Sequence, residues 1–295
     1  MKIFDTYKTG LLIVYVLFCL YLPLFGGTGV DSRGVRVTVP DENVRIVSLS
    51  PGATETLYVL GLRDEIVGVS DFCNYPPDFV SQKTRMGGFS MPNLEKVQAA
   101  SPHIVILTTV VPIHIKNQLE RLGIAIFVTE PKGFSQLLNL IRQFGKLFNR
   151  ETEAYMLISD MQEEAGKVTY AVKTKSLAPV KTFIEIYYNP YYAAGRNTLP
   201  GDLVTIAGGE VIPKTGKDYP RLSEESILAL NPEAIILGHN IDLNTFLETH
   251  VNVAGVYAIR NNKIFAPDPD EFLRPGPRVV NSLREIARFL HPEAF

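Results

Sequence analysis

The 295-residue chain has no tryptophan, two cysteines, five histidines and a formal net charge of only −2. Each scarcity excludes something. Cys19 lies in an apolar N-terminal run, which leaves Cys73 alone in the rest of the chain. One cysteine makes neither an internal disulfide nor a structural zinc site, so Cys73 is expected to be a small buried residue. His103, His114, His239, His250 and His291 show no H-x-x-x-H or H-E-x-x-H spacing. No metal motif is present, and surface or structural roles are expected of them. Without a long basic run there is no electrostatic footprint for nucleic acid. Neither a G-x-S-x-G turn, a P-loop nor a G-x-G-x-x-G follows any strand, so hydrolase and nucleotide chemistry have no support.

What is present begins with "MKIFDTYKTG", which carries two lysines, and "LLIVYVLFCLYLPLF", fifteen residues without a charge. That layout is a secretory leader. As a helix the run reaches about 22 Å at ~1.5 Å per residue, short of the ~30 Å hydrocarbon core. A cleaved signal peptide over residues 1–27 is therefore expected, with an uncleaved anchor as the alternative. The protein is expected in the periplasm or at the outer face of the cytoplasmic membrane.

After a polar stretch, strand-like runs ("RIVSLS", "EIVGVS", "HIVILTT", "AIFVTE") alternate with helical patterns, and the style resumes later in "KTFIEIYY", "EAIILGHN" and "KIFAP". Such alternation predicts α/β units with largely parallel sheets. Between the halves, Ala154, Ile158, Met161, Ala165, Val168 and Val172 recur at spacings of three and four, with acids at the start and lysines at the end. One long amphipathic helix is expected there, lying across two domains. The predicted organisation is an N-terminal α/β lobe over 36–132, a helical segment over 133–178 and a C-terminal α/β lobe over 179–295. Ligands of such proteins lie between domains or outside the carboxyl ends of strands.

Aromatic residues cluster in loops rimmed by Gly and Pro: Phe72 and Tyr75 in "SDFCNYPP", Phe89 in "MGGFSMPN", Tyr187, Tyr188, Tyr191 and Tyr192 in "YYNPYYAAG", and Phe272 beside Arg274 in "DEFLRPGPR". They could wall a ligand with a large flat face, with tyrosine hydroxyls and Arg274 as donors at its edge. In "SPGATETLYVLG", Pro51 suits a helix's first turn, Ser50 its cap and Gly61 its end. Its one acid, Glu55, is on this reading a solvated charge favoured by the helix dipole.

Several stretches resemble one family, the extracytoplasmic substrate-binding proteins of ABC importers for cobalamin, haem and ferric siderophores. They are "RIVSLSPGATETLYVLGLRDEIVGVSDFCNYPP", "GGFSMPNLEKVQAASPHIVIL", "YYAAGRNTLPGDLVTIAGGEVIP", "RLSEESILALNPEAIILG" and "FLRPGPRVVNSLREIA". The resemblance implies two α/β lobes joined by one long rigid helix, a ligand cleft between them and no enzyme activity. "CNYPP" and "PNLE" look most like the cobalamin-binding branch. By resemblance Phe72 and Phe89 pack on the ligand, Phe89 where the family has a tryptophan. Tyr188, Tyr191 and Tyr192 form a loop of the second lobe, Phe272 and Arg274 the last ligand-facing loop, and Tyr75 joins them. Two acids on the membrane-facing rim dock on permease arginines; Glu55 matches the first and Glu225 the second, with Glu224 as its alternative. The implied ligand is a corrinoid or, as the alternative, haem or a ferric siderophore, for which Arg196, Arg274 and Arg278 could supply positive charge. Its metal belongs to the ligand; no permanent cofactor is implied. The partners are an ABC permease dimer with its ATPase subunits, met by a monomer. A divalent-metal carrier and an extracytoplasmic enzyme on the same fold are the readings from other classes.

Overall fold

A computed structural model describes residues 26–295. The expected leader, with Cys19, lies outside them except for Gly26 and Gly27. Those two are folded into the first lobe, where the Gly27 carbonyl accepts a bond from the Val39 N–H at 3.1 Å. The polar stretch that follows is a hairpin of β1 (Thr28–Val30) and β2 (Arg36–Thr38).

The first sheet comprises β3 (Ile46–Ser48), β4 (Ile66–Val69), β5 (Thr84–Arg85), β6 (Ile104–Thr108) and β7 (Ala125–Thr129), parallel throughout, in the order β5-β4-β3-β6-β7. Its crossovers include α1 (Pro51–Val59), α2 (Leu94–Ala99) and α3 (Ile113–Arg121). The strands read as continuous apolar runs because helices cover both faces of a parallel sheet. Leu49, Val105 and Leu107 face one side, and Ile46, Ile104 and Ile106 the other.

Two helices follow, α4 (Phe134–Leu147) and α5 (Glu151–Thr174). Ala154, Ile158, Met161, Ala165, Val168 and Val172 are the buried residues of α5, the stripe read from the sequence. At ~1.5 Å per residue α5 spans about 36 Å. It packs on α4 and on the final helix of the chain.

The second sheet holds β8 (Val180–Tyr188), β9 (Tyr191–Ala193), β10 (Gly209–Ile212), β11 (Ala234–Leu237) and β12 (Ile264–Phe265). β10-β8-β11-β12 run parallel, while β9 turns back antiparallel on the far end of β8. Its helices include α6 (Leu199–Ile206), α7 (Glu224–Leu230), α8 (Leu243–Thr249) and α9 (Val279–Leu290), the last against α5 and α6. The fold is two α/β lobes, as the alternation predicted.

A repeat links the lobes that is hard to see as letters. Asn93, Glu95, Val97, Pro102 and Leu107 correspond at one constant spacing to Ser223, Glu225, Ile227, Pro232 and Leu237. Both helices are capped from the side chain three residues ahead, Asn93 accepting from the Lys96 N–H at 3.0 Å and Ser223 from the Ser226 N–H at 3.3 Å. Ser101 and Asn231 leave α2 and α7 with φ of 46° and 43°. The eight residues from each cap onward show the same order of exposure and burial. Few identities survive, since only burial, the cap and the turn constrain the letters.

Candidate functional site

Loops after the strands' carboxyl ends bring the lobes together. Beyond β7, Lys132 Nζ lies 2.8 Å from Asp218 Oδ2, which follows β10. The Phe134 N–H donates to Asp202 Oδ2 on α6 at 2.7 Å. Beyond β4, Asn74 donates to Asp270 Oδ2 at 2.7 Å and accepts from Arg274 at 2.6 Å. These contacts tie loops beyond β7 and β4 to segments beyond β10 and β12, so the carboxyl edges of the two sheets face each other. In the strand order the ends of β6, β8 and β11 lie between these contacts.

Phe72 and Phe89 form an edge-to-face pair at 5.0 Å on the first lobe, with Phe72 51% exposed. On the second lobe Tyr187 and Tyr188 approach to 5.9 Å, and Tyr192 is exposed beside them. Tyr188 lines two cavities of about 530 Å³ each, one with Asn240 and Asp242, the other with Tyr191 and Glu224. Tyr75 is exposed but carries the Arg278 guanidinium 4.2 Å above its ring. Arg274 is held between Asn74 and Asp270.

Three expected site residues are placed otherwise. Phe272 is fully buried in the main core, where a helical turn, Pro269–Phe272, presses it inward. Tyr191 is buried in the second lobe's core, edge-on to His250 at 5.5 Å, and burial pushes its hydroxyl up to about 12. Phe272 presents no face to a ligand, while Tyr191 reaches only the margin of the cavity that it lines with Tyr188.

Glu55 is the third, 3% exposed rather than on a rim. Counted from Pro51 it is the fifth residue of α1, past the dipole-favoured first turn and on the face turned to the last loop of the chain. Arg278 grips it bidentately, Nε to Oε2 and Nη2 to Oε1, each at 2.8 Å. Burial pushes the Glu55 carboxyl above its ordinary value against the pull of Arg278, whose guanidinium is pushed further up by the pair. The approach is close because Gly52 has no side chain: a Cβ there would stand 2.5 Å from the Pro275 carbonyl oxygen. Ser50 occupies the cap position, yet its hydroxyl makes no capping bond.

Glu225 is exposed, second in α7, and its carboxyl lies below the ordinary range because the Ser223 hydroxyl and a backbone N–H donate to it. Glu224 is tied to Asn252 at 2.9 Å. The repeat partner of Glu225 is Glu95, likewise exposed and second in α2. Both helices precede a strand, β6 and β11 respectively, so the two acids hold equivalent positions in the two lobes. Residue types alone did not single out Glu95.

A buried carboxylate also went unnoticed in the sequence. Glu185, inside β8, accepts from His239 Nε2 at 2.8 Å through Oε1 and from His250 Nε2 at 2.9 Å through Oε2. Burial alone would push Glu185 up, but the two imidazole donors more than offset it and hold the carboxyl below its ordinary value. Among the described residues no group of three or more His, Cys, Asp or Glu side chains could hold a metal ion. Cys73 is buried, with Thr54 and Ser70 hydroxyls 3.2 Å from its sulfur.

This architecture defines a class, and comparison with known proteins bears it out. The chain belongs to the periplasmic binding protein family, whose profile matches residues 46–271. It is a substrate-binding protein, not an enzyme. An uncharacterized ABC transporter substrate-binding lipoprotein of Bacillus subtilis is 27% identical over 90% of this chain and 85% of its own length. The vitamin B12-binding protein of Vibrio parahaemolyticus is 27% identical over 91% of this chain and 94% of its own. Among solved structures, the periplasmic vitamin B12 binding protein of Vibrio cholerae has a TM-score of 0.72 at 23% identity, covering 85% of this chain and 97% of that one. A periplasmic heme binding protein of Pseudomonas aeruginosa has a TM-score of 0.75 at 23% identity, covering 85% and 94%. These two share the fold.

Proposed function

We propose that this protein captures cobalamin or a related corrinoid outside the cytoplasm and delivers it to an ABC permease dimer with its ATPase subunits. What supports the reading is the grouping of aromatics near the carboxyl ends of the strands, Phe72 paired with Phe89 on the first lobe and Tyr187, Tyr188 and Tyr192 together on the second. Aromatic walls suit a broad, flat ligand, since burial supplies the affinity and a few polar groups orient it. Tyr75 and Arg274 serve as edge donors. Relatives named for vitamin B12 binding and for ABC transport support both halves of the proposal. The charged start and apolar run of residues 1–27 support export, and the protein acts as a monomer.

Glu225 docks on the permease, and Glu95 takes the role that the family resemblance implied for Glu55. An exposed acid at an N-capped helix start is free to pair with a partner's arginine. Two of them, one per lobe and related by the repeat, suit a two-fold permease.

Tyrosine fluorescence of the purified protein, free of tryptophan background, tests the ligand. Cyanocobalamin is expected to quench it with a Kd near or below micromolar, about 8 kcal/mol of binding. Preferential quenching by haem or by ferric hydroxamates would transfer the protein to that branch. Failure of all three at that level would remove the transport reading.

A further inference from the structure

We propose that Arg85 is a positioning residue of the binding surface: it holds the turn that carries Phe72, so that the pair of Phe72 and Phe89 is fixed before a ligand arrives. This rests on the capture reading and deepens it.

Phe72 is 51% exposed. A ring left half in water gains by folding back onto apolar surface, as Phe272 and Tyr191 do, so something must keep it out. The backbone does. Ser70 to Cys73 form a turn closed by the Cys73 N–H on the Ser70 carbonyl at 3.1 Å, with Phe72 in its third place. Both ends of the turn are buried, the Ser70 hydroxyl 3.2 Å from the Cys73 sulfur, while Asp71 and Phe72 between them are exposed. From β5, Arg85 Nη1 donates to the Ser70 carbonyl at 3.0 Å and to the Cys73 carbonyl at 2.7 Å. One guanidinium nitrogen thus spans the two ends of the turn. The Cys73 carbonyl has no other hydrogen-bond partner among the described residues.

The same strand opens the loop of Phe89. The Met86 N–H donates to the Val69 carbonyl and the Asp71 N–H to the Gly87 carbonyl, each at 2.9 Å, so residues 85–87 run beside 69–71. The loop closes where the Asn93 N–H reaches the Met86 carbonyl at 2.7 Å and Gly87 bridges Pro92. Phe89 lies inside that closure and meets Phe72 edge-on. Arg85 therefore stands at the root of both aromatic loops and ties one to the other. Hydrogen bonds from an ionised donor are roughly twice as strong as neutral ones, and a planar guanidinium holds them in a fixed direction that an ammonium does not. Side chains ordered in advance spare the ligand the cost of ordering them, which raises affinity without a contact to the ligand.

Because the chain has no tryptophan, Phe72→Trp places a single indole on the turn, and its time-resolved fluorescence anisotropy reports the turn's motion without any ligand. Adding Arg85→Ala to that variant is expected to free the indole and lower the anisotropy. Arg85→Ala alone should weaken binding about 10-fold for whichever of cyanocobalamin, haemin and ferrioxamine the wild type binds. Arg85→Lys should fall between arginine and alanine in both readouts. A merely structural role would lower the urea midpoint and leave the folded protein's anisotropy and affinity unchanged. Anisotropy unaffected by Arg85→Ala, or lowered anisotropy with undiminished affinity, overturns the proposal and leaves capture standing. If Arg85→Ala does not fold, Arg85→Lys decides by the same two readouts. A wild type that binds none of the three probes overturns capture, and the positioning role with it.

Discussion

The helices opening at Pro51 and at Glu224 look alike as sequences: each follows a serine and carries an acid in its early residues. Their acids have opposite fates. Glu225, second in α7, points to solvent beside its cap. Glu55, fifth in α1, is turned inward onto Arg278. A shift of three residues along a helix is nearly one full turn, so facing alone does not separate them; what packs above the helix does. The loop carrying Pro275, Gly276 and Arg278 covers α1, whereas the face of α7 bearing Glu225 stays open. An acid near a helix start is thus a surface charge or a buried tie depending on a segment more than two hundred residues away.

That contrast can be broken in three ways, taken from the largest stability effect down. Arg278→Ala leaves Glu55 buried without its partner, and a loss of about 3–5 kcal/mol is expected in urea unfolding. A loss under about 1 kcal/mol would show that Glu55 is solvated and restore it as a rim acid. Next comes acid. Glu185 lies below the ordinary value of 4.5 in the folded protein, so its contribution is complete above that value and lost as pH falls through the lower, folded one. Urea midpoints measured between about pH 6 and about pH 3 should therefore fall more steeply in the wild type than in Glu185→Gln. Equal slopes would mean that the two histidines do not hold the carboxylate ionised. Smallest in stability are Glu95→Lys and Glu225→Lys, each within about 0.5 kcal/mol as exposed substitutions. Ligand binding should persist in both while uptake by cells carrying the permease is lost. Uptake unaffected by the double variant would remove the docking assignment.

The stripe of α5 was legible because one face of a long helix must be apolar, and six positions stated it. The parallel strands were legible as β-branched runs between turn residues. The hairpin of β1 and β2 was not, because three-residue strands at a polar terminus leave no period to read. The exposure of the loop aromatics was legible in part. Phe72 and Tyr192 are exposed, as aromatics without a core to fill, whereas Tyr188 packs partly on the second lobe's core. Phe272 and Tyr191 met the same criterion and are core residues, since a loop that folds back can bury its aromatics.

The sequence by itself determined the class of fold, the long helix, the family and the set of loops from which a cleft is built. These follow from local periodicity and turn chemistry, which act over a few residues. Tertiary structure alone decided that Glu55 is a buried partner of Arg278 and that His239 and His250 share Glu185. Each of those pairings joins residues 54 or more positions apart. Burial and hydrogen-bond partnership belong to the neighbours a side chain meets in space, and no spacing along the chain records them.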